Sequence, residues 1–152
     1  MRPVISRRIN KIKDLAKGYY LLNKGDLIEK HDELLRIHTI KDSKNDKHPH
    51  KNNRVYISRR SIKHFVEERK IQLAKYHPEA EVLLRICFAI EQIPEVITNF
   101  DRYEFEPNPE KFFYTKHYPG EPSIRILCER SKNKNKTLEI CSIHYKKQQR
   151  DK

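Results

Sequence analysis

The order of hydrophobic patterns along this chain predicts an α+β fold, with N-terminal helices followed by a four-stranded antiparallel meander sheet packed on a buried helix. Three observations carry that expectation. Apolar residues recur at helical spacing through the first two thirds of the 152 residues. From Asp101 the period changes to two. The connections between the β-rich segments (PNPE, PGEP and SKNKNK) are short and full of turn residues, and short links favour antiparallel pairing because a parallel pair needs a long crossover. Helices first and strands afterwards is the α+β order.

Ile5, Ile9, Ile12 and Leu15 fall on one side of a helix running roughly from Val4 to Lys17, and Gly18 with Tyr19 and Tyr20 ends it. Asp26 is placed to cap a second helix containing Leu27, Ile28, Leu34 and Leu35, while the alternation of Leu35, Ile37 and Thr39 leaves a strand there as the alternative. The stretch DSKNDKHPHKNN, Asp42 to Asn53, has no large apolar residue and reads as an exposed linker in which His48 and His50 are solvated. The expected organisation is therefore a 1–41 helical extension, a 42–53 polar linker and a 54–147 body. The body opens with a strand, Arg54 to Ile57, and Ser58 as the N-cap of a helix whose packing stripe is Ile62, Phe65, Val66, Arg69 and Leu73. His64 lies off that stripe. After His77-Pro78, Val82, Leu83, Leu84, Ile86, Cys87, Phe88 and Ile90 leave a helix almost no polar face, which marks it as the buried one, and Pro94 punctuates it. The four strands expected after it are Tyr103 to Phe105, Lys111 to His117, Ser123 to Glu129 and Thr137 to Tyr145.

Charge points to the partner. Thirty-three Lys and Arg against 21 Asp and Glu give a formal net charge of +12, with a pI near 9.6, a balance that favours a polyanion such as nucleic acid. The charge is uneven, because 78–110 holds eight acidic residues but only Arg85 and Arg102 as basic ones. An acidic face and a strongly basic one are expected. A mean hydropathy of −0.93 leaves no run apolar enough for a membrane span, and the N-terminus lacks the apolar run of a secretory signal, so a cytoplasmic protein is expected. Cys87, Cys128 and Cys141, odd in number and widely spaced, read as reduced core thiols. Three isolated glycines exclude a nucleotide-binding Gly-rich loop, and Cys141-Ser-Ile-His144 lacks the paired spacings of a zinc site, so neither metal nor cofactor is expected.

On the strands, Ile124, Ile126 and Cys128 form the core set, which sends Arg125 to the opposite face. In the last strand Leu138, Ile140, Ser142 and His144 share one parity, and the faces do not separate cleanly. Either Ser142 and His144 emerge at a cleft, or they terminate the strand at solvent.

The arrangement VYISRRSIKHFVEER, an apolar helix ending near IPEVITNF, then FFYTKHY, SIRILCER and LEICSIHY resembles the phage-associated nucleases of the barnase, EndoU, colicin and RelE-like (BECR) superfamily over Arg54 to Tyr145. The resemblance rests on element order, a helix-borne His, a basic residue on a middle strand and a hydroxyl on the last strand. It implies a metal-independent ribonuclease of toxin type, with RNA as substrate, an immunity or antitoxin protein as a further partner and an active site on the open sheet face. Carried over, it points to His64, to Arg125 or Lys116, and to Ser142 with His144. A clear catalytic Glu on the sheet is missing from the pattern. The chemistry suits these types, since imidazole titrates near neutrality and a guanidinium matches the planar geometry of phosphate. Arg59, Arg60, Lys63, Lys132, Lys134, Lys136, Lys146 and Lys147 are candidates to track the backbone, and Phe113, Tyr114 and Tyr118 to stack bases. Two other readings use the same features: a non-catalytic nucleic-acid-binding protein, or an interaction factor docking through the acidic 78–110 segment.

Overall fold

A computed structural model describes residues 6–131 and 135–146. Helix α1 (Arg7–Tyr20) is followed by strand β1 (Leu34–Thr39), β2 (Arg54–Ser58), helix α2 (Arg59–Ala74), helix α3 (Glu79–Thr98) and strands β3 (Arg102–Pro107), β4 (Glu110–Lys116), β5 (Ser123–Arg130) and β6 (Thr137–Lys146). The fold is α+β, but its sheet corrects the expected four-stranded antiparallel meander. It has six strands in the order β1-β2-β6-β5-β4-β3, and β2 pairs with β6 in parallel. The meander from β3 to β6 is present as one part of a mixed sheet. Alternation within each strand is blind to which strands become neighbours, and a parallel partner more than 80 residues away leaves no local trace.

Local chemistry sets the helix starts. Ser6 Oγ accepts from the Ile9 N–H at 3.2 Å, and Ser58 Oγ accepts from the Ser61 N–H at 3.0 Å, as expected for the second body element. Helix α1 runs on through Gly18 to Tyr20, because Ala16 and Tyr20 continue its buried stripe after Ile9 and Ile12. The helix expected over Leu27 to Leu35 is replaced by turns up to Glu33 and by the edge strand β1, which buries Leu35 and Ile37. Helix α3 likewise passes through Pro94, since Ile93, Val96 and Ile97 remain in the core on either side of it. It is not buried all round. Leu84 is 69% exposed and, with Phe88, lines a groove of about 340 Å³ beside Glu81, Arg85, Glu121 and Tyr145.

One core unites these elements. Ile9, Ile12 and Ala16 of α1 belong to the same buried cluster as Ile62 and Phe65 of α2, Ile86, Ile90 and Ile93 of α3, and Val55, Ile126 and Ile140 of the sheet. Residues 42–53 are not the solvated linker expected from their composition. Asn53, His48 and His50 are buried, and the last two lie among Phe100, Tyr103, Phe112 and Tyr114. His48 Nε2 is 2.7 Å from the Ile97 carbonyl, and His50 Nδ1 bonds the Tyr114 hydroxyl. Among the described residues no helix is long and apolar enough to cross a membrane.

Burial, helped by the charge of Arg130, pushes the His50 imidazole down to about 4. An unfolded imidazole protonates near 6.5, so the unfolded chain binds more protons between those values, and stability that is complete above about pH 6.5 falls as the pH drops toward 4. By pH 5 this one group is expected to remove about 2 kcal/mol. Urea unfolding at pH 7 and pH 5 checks it: the midpoint should fall, and His50→Gln, which cannot titrate, should fall less steeply over the same interval.

Candidate active site on the open face of the sheet

All three helices and the histidine loop pack on one side of the sheet, so the residues of opposite parity form its other face. A β-bulge decides what β6 contributes. Leu127 pairs with Ser142 but Cys128 pairs with Ile140, which leaves Cys141 as an extra residue in β6. Leu138 and Ile140 point into the core before the bulge, Ile143 does so after it, and Ser142 and His144 are thereby delivered to the open face. Two cross-strand rows result. One runs Arg102, Thr115, Arg125 and His144, and the next runs Glu104, Phe113, Leu127 and Ser142.

The parallel pairing supplies the second wall. β2 matches β6 only from Arg54–Thr137 to Ile57–Ile140; beyond it the chain becomes α2, which packs against β6. Arg60 and His64, one turn apart on α2, act by charge on Glu139 and His144 of the open face. Arg69, two turns along, is buried, and its charge reaches both Tyr145 and His144.

His144 is paired with Arg125 across the strands and lies within the electrostatic reach of three further basic side chains. Its pKa is lowered first by partial burial and then by Arg69, Lys146, Arg125 and His64, so it is neutral at neutral pH. Ser142 Oγ stands 3.0 Å from its Nε2. The Arg125 guanidinium lies 4.1 Å from the Phe113 ring centre and 3.8 Å from a Glu104 oxygen, an ion pair too long to be a hydrogen bond. Its Nε is buried without a hydrogen-bond partner among the described residues. A planar cation clamped on an aromatic ring beside a neutral imidazole and an exposed ammonium can hold an anion and accept a proton from a group attached to it.

Three residues singled out from the sequence, Arg125, Ser142 and His144, therefore share one stretch of the open face, and His64 acts on His144 by charge from α2. Others do not. Tyr114 is 0% exposed and its hydroxyl bonds His50, so it is a core residue and cannot stack a base. Lys116 projects from the other face of β4, where its ammonium reaches the Asn99 carbonyl at 3.0 Å and Glu95 at 3.6 Å. Lys63 is buried, donating to Glu67 at 3.1 Å and to the Asn23 carbonyl at 3.4 Å. Arg59 is held by Tyr19 and Glu33, and Arg60 pairs with Asp32 while remaining exposed. Lys136 occupies the left-handed turn before β6. Lys132, Lys134 and Lys147 lie outside the described residues.

Two features escape a reading of the sequence. Arg69 sits within a hydrophobic stripe and so reads as a packing residue. Glu129 and Glu139, directly paired across β5 and β6, put two carboxyls on the open face where no catalytic Glu was expected. Burial and the Glu129 charge raise the Glu139 pKa, and the same burial and charge push the neighbouring Cys141 thiol up to about 12, so it is not a nucleophile. Among the described residues no group of three His, Cys, Asp or Glu side chains is placed to hold a metal. Compared with known proteins, the chain has no significant match to a family model, a curated protein or a solved structure.

Because Lys146 is exposed and acts on His144 by charge, Lys146→Met should leave the fold intact and raise the His144 titration midpoint. Imidazole resonances followed by NMR against pH test this, and an unmoved midpoint would contradict that action by charge.

Proposed function

We propose that the protein is a metal-independent endoribonuclease that cleaves RNA by 2′-hydroxyl transesterification, in the manner of the toxin-like nucleases its element order resembles. The observation that carries the reading is the pairing of Arg125 with an exposed His144 across the open face, with Ser142 Oγ 3.0 Å from the imidazole and Arg69, Lys146 and His64 acting on it by charge. A chain of net charge +12 draws RNA to such a site, and these basic groups concentrate the attraction where a phosphodiester would rest.

The residues divide the reaction as follows. In the tautomer that donates Nε2–H to Ser142 Oγ, His144 presents the Nδ1 lone pair and takes the 2′-hydroxyl proton. The O2′–P bond forms as the P–O5′ bond breaks, and protonated His64 gives its proton to the departing 5′-oxygen. Products are a 2′,3′-cyclic phosphate and a 5′-hydroxyl. Arg125 and Lys146 bind the non-bridging oxygens, whose negative charge grows in the transition state. Ser142 is a positioning residue. DNA, which has no 2′-hydroxyl, is not cut.

Incubation of purified protein with bulk RNA in EDTA is expected to release fragments with cyclic phosphate ends at a rate that falls with salt. His64→Ala and His144→Ala should each lower the rate about 10²–10⁴-fold, and Arg125→Met about 100-fold or more, with circular dichroism unchanged. Salt-sensitive retention of RNA without cleavage would leave a non-catalytic binder. No RNA interaction at low salt would favour docking through the acidic 78–110 segment.

A further inference from the structure

The turns between α1 and β1 do more than connect. They are tied down on α2 at several points: the Gly25 N–H donates to Glu67 at 3.0 Å, Lys63 reaches the Asn23 carbonyl, the Arg60 N–H donates to the His31 carbonyl at 2.9 Å, and Lys70 Nζ donates to the Tyr20 carbonyl at 2.8 Å. So anchored, they enclose with α2 a cavity of about 260 Å³. Leu27 and Ile28 give it an apolar wall, and Arg60, His31 and His64 line it with flat cationic or heteroaromatic groups. Leu27 is 98% exposed although its backbone is held in place, so packing within the chain does not account for it.

Two residues of this cavity act by charge on the open face. His64 lines the cavity and acts on His144, and Arg60 lines it and acts on Glu139. The spacing 60, 63, 64 and 67 is one stripe of α2. A phosphate bound at Arg125 and His144 therefore has a concave, partly apolar recess within the electrostatic reach of His64. What is covalently attached to a phosphate in RNA, flat and able to use apolar contact and guanidinium stacking together, is a nucleoside.

We infer that the recess between the 21–33 turns and α2 is a nucleobase-binding subsite, which seats the base of a nucleotide whose phosphate lies at Arg125 and His144. The inference rests on the proposed phosphate site for its orientation but not for its existence. In it Leu27 and Ile28 cover one face of the base and Arg60 stacks at its edge. The Glu67 carboxylate and the backbone of the Gly25–Asp26 turn supply polar partners at the rim.

Calorimetric titration with three probes separates the two claims: inorganic phosphate, free nucleosides, and nucleoside 3′-monophosphates. The full chain is compared with Leu27→Ser, whose exposure means the fold is not at stake. The expected result is that monophosphates bind more tightly than phosphate, and that Leu27→Ser weakens them about tenfold while phosphate binding is unchanged. If monophosphates bind no better than phosphate, or if the variant leaves them unaffected, the subsite is overturned and the phosphate site stands. Nucleosides that bind and are weakened by Leu27→Ser in the absence of phosphate binding uphold the subsite and overturn the phosphate site. Binding of none of the probes overturns both.

Discussion

A single extra residue in β6 governs what the open face can do. Up to Ile140 the strand alternates with Leu138 and Ile140 inward; had that alternation continued, Ser142 and His144 would have entered the core and Ile143 would have faced solvent. The bulge at Cys141 resets the alternation, so the apolar set stays buried while a hydroxyl and an imidazole reach the side where Arg125 waits. Burying an imidazole and a hydroxyl without partners is expensive, and exposing a run of isoleucine forfeits core. Bulge, core and the pairing of Arg125 with His144 are thus one solution to one packing constraint.

The second determinant is the brevity of β2. Four paired positions attach it to β6, and the chain then leaves the sheet as a helix. Had β2 continued, a strand would lie beside Cys141–Lys146 and no helical side chains would reach that part of the sheet. By stopping, it leaves α2 to pack against β6, and from that helix the charges of Arg60, His64 and Arg69 act on Glu139 and His144. The open face is consequently graded. Carboxyls gather around Glu129 and Glu139 toward one end, and cations around Arg125 and His144 toward the other.

Much of this was legible residue by residue. The α2 stripe of Ile62, Phe65, Val66, Arg69 and Leu73 is buried, Ser58 caps its helix, and Arg125 does face away from Ile124, Ile126 and Cys128. Such features depend on neighbours within a turn of helix or a few residues of strand, and sequence pattern reports those. What it could not report depended on partners far along the chain. His48 and His50 look solvated among Lys, Asp and Asn, yet their aromatic neighbours arrive from residues 100–114. Tyr114 looked available because its hydroxyl partner was invisible. That β2 and β6 are parallel neighbours left no sign in the periodicity of either segment. The mixed parities of the last strand were a genuine signal of the bulge, although alternation by itself does not say at which residue the phase changes.

The pairing of β2 with β6 also bears on when the molecule matures during its synthesis. Val55 and Ile57 wait for Leu138 and Ile140, which emerge from the ribosome last among the strands, while α1, α2 and α3 are already available to pack on one another. Long-range closure of this kind is slow relative to local helix formation. His64 is therefore made long before the strand carrying His144, and its charge acts there only once the sheet has closed around β6. A nascent chain that has not yet extended β6 lacks the open-face row that joins Arg125 to His144, so that row forms only with the closing of the sheet.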